Sequence, residues 1–69
     1  MQHTFTLTTE YIELNKLLKL LDLADSGGHA KSVISDWLVS VNGSVETRIR
    51  NKLKKWDKVS FNDAEIVIE

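Results

Sequence analysis

Ser26-Gly27-Gly28-His29-Ala30-Lys31-Ser32-Val33-Ile34, followed closely by Val39-Ser40-Val41-Asn42-Gly43, is the stretch on which the reading of this sequence turns. A serine just before a helical pattern is a good N-cap, because its hydroxyl can accept from a first-turn N–H that has no partner inside the helix. Beyond it Ala30, Val33, Ile34, Trp37 and Leu38 recur on one face, which predicts a helix from Gly28 to Leu38. Val39 to Val41 then alternates as a short strand. Asn42-Gly43 is a strong hairpin signal, since both residues tolerate positive φ, and Val45 to Thr47 is placed to return as the partner strand.

Upstream, Leu14, Leu17, Leu18 and Leu21 line one face while Asn15, Lys16 and Lys19 lie off it, predicting a first helix over Leu14 to Leu21. Thr4 to Thr8 alternates apolar residues with threonine, the pattern of a half-buried strand. Downstream, Arg48 to Lys55 is too charged for a core, with Leu53 as its single anchor. Lys58 to Phe61 and Ala64 to Ile68 read as strands around an Asn62-Asp63 turn, and Ile66 to Ile68 is a candidate edge able to pair between chains. Strand, helix, helix and then short strands make an α+β domain over residues 1–69, two packed helices followed by a small antiparallel sheet.

The chain has 69 residues, 42% of them hydrophobic and 28% charged, which suits one soluble globular domain. Cysteine is absent, so disulfides and thiolate metal sites are excluded. No apolar run approaches the roughly 20 residues of a membrane span, and Met1 to Glu10 lacks the pattern of a secretory signal. A cytoplasmic location is expected. The net charge of −1 conceals a segregation: residues 1–25 carry −2, residues 26–58 carry +4 and residues 59–69 carry −3. A basic patch on a nearly neutral protein is the expected consequence.

Two features can bind anions. At the start of the second helix, unpaired N–H groups and the positive end of the macrodipole attract phosphate. Ser26, Gly27 and Gly28 keep that end unobstructed, Lys31 adds a full charge, and His29 lies beside them. The plain alternative is a helix cap after a tight turn. The second feature is Arg48, Arg50 and Lys52, which alternate and would project from one side of an extended segment, with Lys54 and Lys55 beyond them. Its plain alternative is a solvated charged loop.

Other chemistries fit poorly. The glycines do not form a nucleotide-binding P-loop, because Asp25 and Ala30 stand where that motif requires glycines. Asp25, Ser26 and His29 supply the residue types of a hydrolytic triad without any spacing that establishes its geometry. His3 and His29 make a poor metal site. Trp37 and Trp56 are expected in the core, with base stacking as the alternative.

As a set these motifs resemble the S-four domain, a small RNA-binding module. The resemblance runs through Leu14-x-x-Leu17-Leu18-Lys19, Ser26-Gly27-Gly28-x-Ala30-Lys31-x-x-Ile34 and Val39-x-Val41-Asn42-Gly43. It continues in Glu46-Thr47-Arg48, Lys52-Leu53 and Asp57-x-Val59-x-Phe61, and so covers residues 11–61. The Ser-Gly-Gly and Glu-Thr-Arg segments are similar to small stand-alone bacterial members, the YaaA-like group. The resemblance implies RNA held across the second helix and the following hairpin, with Ser26, Gly27, Gly28, Lys31, Asn42, Arg48, Arg50 and Lys52 as contacts. His29, Lys54 and Lys55 are the outlying candidates. Two positions depart from the family: Trp37 and Trp56 stand where it often has glycine, the residue suited to a left-handed backbone.

The function expected is non-catalytic binding of structured RNA, ribosomal or transfer, by a monomer without cofactor or metal. A ribosomal or other protein partner is compatible with it. The alternative is an adaptor that keeps the fold, uses the helix pair or the tryptophans to bind a protein, and acts with a nucleic-acid enzyme.

Overall fold

The structure is a computed structural model that describes residues 2–69. In chain order its elements are β1 (Gln2–Phe5), β2 (Ile12–Glu13), α1 (Leu14–Leu20), α2 (Gly27–Ser35), β3 (Val39–Val41), β4 (Ser44–Val45), β5 (Lys52–Leu53), β6 (Lys58–Phe61) and β7 (Ala64–Ile68). Five strands form one sheet in the order β1-β7-β6-β3-β4, and β2 pairs with β5 in a separate two-stranded ladder. The helix pair and the α+β class agree with the sequence reading. The sheet is antiparallel from β7 through β4, but β1 joins parallel to β7, so the whole is mixed. β7 is therefore interior, flanked by β1 and β6, and not the expected edge. The N-terminal segment covers it, with Glu69 N–H donating to Phe5 C=O and Leu7 N–H to Glu69 C=O.

The core sits between the helices and the sheet. Leu14, Leu17 and Leu18 of α1 and Ala30, Val33 and Ile34 of α2 are buried as their spacing requires. Val39, Val59, Phe61, Ile66 and Ile68 meet them from β3, β6 and β7. Each fully buried aliphatic side chain is worth about 1.5–3 kcal/mol, which is what holds so small a domain together. Leu53 is fully buried as expected, but it is not a lone anchor, because Ile49 also packs against the core.

Both helices end in the same hydrogen-bonded motif. After α1, Asp22 N–H donates to Lys19 C=O and Leu23 N–H to Leu18 C=O, with Asp22 left-handed at φ 58°. After α2, Trp37 N–H donates to Ile34 C=O and Leu38 N–H to Val33 C=O, with Trp37 at φ 67°. This is the Schellman arrangement, which satisfies carbonyls the helix cannot. It corrects the sequence reading, because α2 stops at Ser35 and the motif swings Trp37 and Leu38 off the apolar face. Trp37 is 71% exposed and Leu38 51%.

A left-handed backbone costs a residue with a Cβ roughly 1–2 kcal/mol, and the Trp37 ring buries little to offset it. Trp37→Gly should therefore stabilise the domain. After about 0.4–1 kcal/mol is returned to the freer unfolded glycine chain, the net gain is about 0.5–1 kcal/mol. Thermal unfolding should show a rise in Tm of about 2–8 °C; a fall would show that the exposed ring holds the fold.

Candidate nucleic-acid interface

Helix α1 begins without a side-chain cap, since Glu13 makes no capping bond. Its first amides are satisfied from the basic segment instead. Leu14 N–H donates to Asn51 C=O at 3.0 Å and Asn15 N–H to Ile49 C=O at 3.1 Å. The pairing of Ile12 with Leu53 and Glu13 with Lys52 extends the same attachment. Residues 49–53 are thus fastened across the start of α1, with Ile49 and Leu53 turned to the core and Arg50 and Lys52 exposed. Lys52 Nζ stands 5.0 Å from the centroid of the half-exposed Tyr11 ring, a cation–π contact.

Helix α2 starts as its sequence requires. Ser26 Oγ accepts from His29 N–H at 3.1 Å, and Ala30 N–H donates to Ser26 C=O. His29 Nδ1 accepts from Asp25 N–H at 3.1 Å, so the imidazole folds back over the turn. Ser26 Oγ is engaged by the backbone and not by the imidazole, so the three residues form a cap and no nucleophile–base pair. Gly27 and Gly28 are exposed, and a Cβ on Gly27 would meet nothing within 4 Å, so the helix start stands open to solvent.

The two features meet. Asn15, Gly27, Lys31, Ile49 and Arg50 line one open cleft of about 450 Å³ between the start of α2 and the basic loop. Arg48, Arg50, Asn51 and Lys52 line a second of about 400 Å³ along that loop. Arg50 borders both. Among the described residues, Lys31, Arg50 and Lys52 have no carboxylate within ion-pair distance. Sequence reading missed Asn15 and Ile49 as cleft residues; Ile49 was detectable as the one apolar residue in the polar run from Glu46 to Lys52.

Arg48 and Asn42 are occupied differently from the sequence expectation. The chain turns at Ile49 and Arg50, so residues 48–52 are not one extended comb. Arg48 forms a two-pronged ion pair with Glu46, with Nε to Oε2 at 3.0 Å and a terminal nitrogen to Oε1 at 3.1 Å, and its N–H donates to the same carboxylate. These bonds hold the Glu46 carboxyl below the ordinary carboxylate range and raise Arg48 further above its own. Asn42, left-handed at φ 52°, spends its amide within the fold. Its Nδ2 donates to Asp57 Oδ1 at 3.1 Å and its Oδ1 accepts from Lys58 N–H at 2.9 Å. Lys54 and Lys55 are exposed on the following turn, outside both clefts.

Residues 5–69 match the S4 domain family. The chain belongs to that family. Its S4 relatives include YbcJ of Escherichia coli (strain K12), 45% identical over 51 residues that make up 74% of this chain and 73% of that protein. Another is RlbA of Bacillus subtilis (strain 168), named a probable ribosome maturation protein, 39% identical over 88% of this chain and 86% of its own. The solution structure of E. coli YbcJ, described as revealing an αL motif involved in RNA binding, superposes with a TM-score of 0.68. That match is 40% identical and covers 93% of this chain and 85% of that one. The family match over residues 5–69 takes in both helices and the strands β2 to β7.

The depressed Glu46 carboxyl yields a pH prediction. A carboxyl lowered on folding stabilises above its unfolded pKa, and that contribution disappears as pH falls through the folded value. Glu46→Gln should therefore unfold at a lower temperature than the unsubstituted protein at pH 7, and the gap should narrow at an acidic pH below the ordinary carboxylate range, where the Glu46 carboxyl takes up its proton. Thermal melts at the two pH values check this; a gap that persists in acid would assign the effect to packing.

Proposed function

We propose that this chain is a non-catalytic module that binds structured RNA, ribosomal or transfer, across the start of α2 and the basic loop of residues 48–52. The observation that carries the reading is the cleft shared by Gly27, Lys31 and Arg50, where the exposed start of α2 meets two cations that have no carboxylate partner among the described residues. Phosphate oxygens fit such a place, because the macrodipole and the cations act in the same direction. Lys52, steadied on Tyr11, extends the basic track along the loop. Both clefts are shallow and open, suited to a nucleic-acid backbone and its shape more than to a small enclosed substrate.

The names of the relatives support the same reading: one structure is ascribed an RNA-binding motif and one protein a part in ribosome maturation. A ribosomal or transfer RNA would place the protein in the cytoplasm; among the described residues no helix is long and apolar enough to cross a membrane. Ser26 serves as the cap that exposes the α2 amides and Asn42 as a brace, while Lys31, Arg50 and Lys52 make the phosphate contacts. Arg48 reaches phosphate only by giving up Glu46.

The test is affinity for ribosomal and transfer RNA as a function of salt. Phosphate contacts from Lys31, Arg50 and Lys52 should weaken binding on the order of 40-fold between 50 and 200 mM monovalent salt. The pair Lys31→Glu and Arg50→Glu should abolish most of that dependence while leaving the circular dichroism spectrum unchanged. Salt-insensitive recovery, the same for both proteins, would reject RNA binding and favour the adaptor reading.

A further inference from the structure

Trp56, like Trp37, holds a placement that the fold does not explain. It sits third in the turn Lys54-Lys55-Trp56-Asp57, closed by Asp57 N–H donating to Lys54 C=O at 3.1 Å, and its φ is 75°. The ring is 70% exposed, so a bulky side chain holds a left-handed conformation while burying little. The turn beneath it is firmly built. Trp56 N–H donates to Ile68 C=O at 2.6 Å, Ile68 N–H donates to Asp57 C=O at 3.0 Å, and Asp57 Oδ2 accepts from Lys54 N–H at 2.8 Å. Strain that the surroundings hold in place and that contributes nothing to the core points to a role outside the fold.

The charges around it indicate what it meets. Lys54, Lys55 and Lys58 are exposed within two residues of Trp56. None of the three has a carboxylate within ion-pair distance among the described residues. Asp57, the one acid in the turn, spends its carboxylate on Lys54 N–H and on Asn42 Nδ2. An exposed aromatic side chain with three such lysines within two positions of it suits a nucleobase with its flanking phosphates, the ring stacking while the lysines neutralise charge. Trp37, equally exposed, lacks this setting: its neighbours are Asp36 and Leu38.

We infer that Trp56 is a stacking platform for an unpaired base of the bound RNA, with Lys54, Lys55 and Lys58 on the adjoining phosphates. This forms a second contact point, separate from the cleft at α2. It rests on the RNA-binding reading and adds to it a preference: the RNA must present an unstacked base, in a loop or bulge, one segment away from the part held at the cleft.

Substitution by glycine gives an unusually clean test, because glycine adopts the left-handed turn without strain. Trp56→Gly should keep or raise Tm, so lost binding cannot be attributed to lost folding. Anisotropy with a labelled RNA hairpin carrying an unpaired loop should show Trp56→Gly binding about 5- to 100-fold more weakly than the unsubstituted protein. A blunt RNA duplex of the same stem should be bound equally by both, and Trp56→Phe should recover most of the hairpin affinity. In a Trp37→Gly background, where Trp56 is the sole tryptophan, the hairpin should quench its emission and the duplex should not. Equal hairpin affinity for Trp56→Gly, or equal losses on hairpin and duplex, overturns the platform and leaves the α2 cleft standing. Absence of salt-sensitive binding to either RNA by the unsubstituted protein overturns both, and points to an anionic protein surface as the partner of the turn.

Discussion

The arrangement depends on one exchange of hydrogen bonds: the amides that open α1 are satisfied by carbonyls of Ile49 and Asn51. A helix leaves its first N–H groups without internal partners, and here no side chain caps them. The loop that takes up this duty carries Arg50 and Lys52, so the requirement that stabilises α1 also fixes the backbone from which those cations project. Ile49 and Leu53 fasten the loop from beneath. Since α1 packs directly on α2, holding the loop to the start of one helix brings Arg50 beside the start of the other. The cleft is thus a by-product of capping, assembled from three segments none of which forms it alone.

What was legible in the sequence follows from how local each cause is. Leucine spacing in α1, the Ser26 cap and the Asn42-Gly43 turn are decided within a few residues, and the structure keeps them. What escaped depends on partners far along the chain. The two-residue ladder of β2 with β5 joins positions some forty residues apart and has too little alternation to announce itself. The parallel pairing of β1 with β7 unites the two ends of the chain, which no turn signal encodes. The site divides in the same way: Gly27, Lys31, Arg50 and Lys52 were recognised by residue type, whereas the Glu46 clasp on Arg48 and the Asn42 brace on Asp57 are matters of geometry.

The tryptophans show how a sound general rule gave the wrong location. Large aromatics in a small domain are usually buried, and Trp37 falls on the apolar stripe of α2 when the helix is extended to residue 38. The Schellman motif intervenes: once Trp37 N–H and Leu38 N–H turn back to Ile34 and Val33, residue 37 becomes left-handed and its side chain leaves the stripe. The positions where the family often has glycine were the sign that this would happen. At both positions the backbone is left-handed, and the tryptophans accept the strain.

That acceptance separates two kinds of left-handed residue here. Asn42, Asn62 and Asp22 are short polar side chains that adopt the conformation at small cost, and Asn42 returns two hydrogen bonds for it. Trp37 and Trp56 return neither a bond from the side chain nor a buried surface. A domain of this size has little stability to spare, so a ring kept at such a position is better understood through what it touches outside the fold. Trp56 alone combines that strain with a braced turn and three exposed lysines within two positions that have no carboxylate partner among the described residues, which is why the stacking role is proposed for it and not for Trp37.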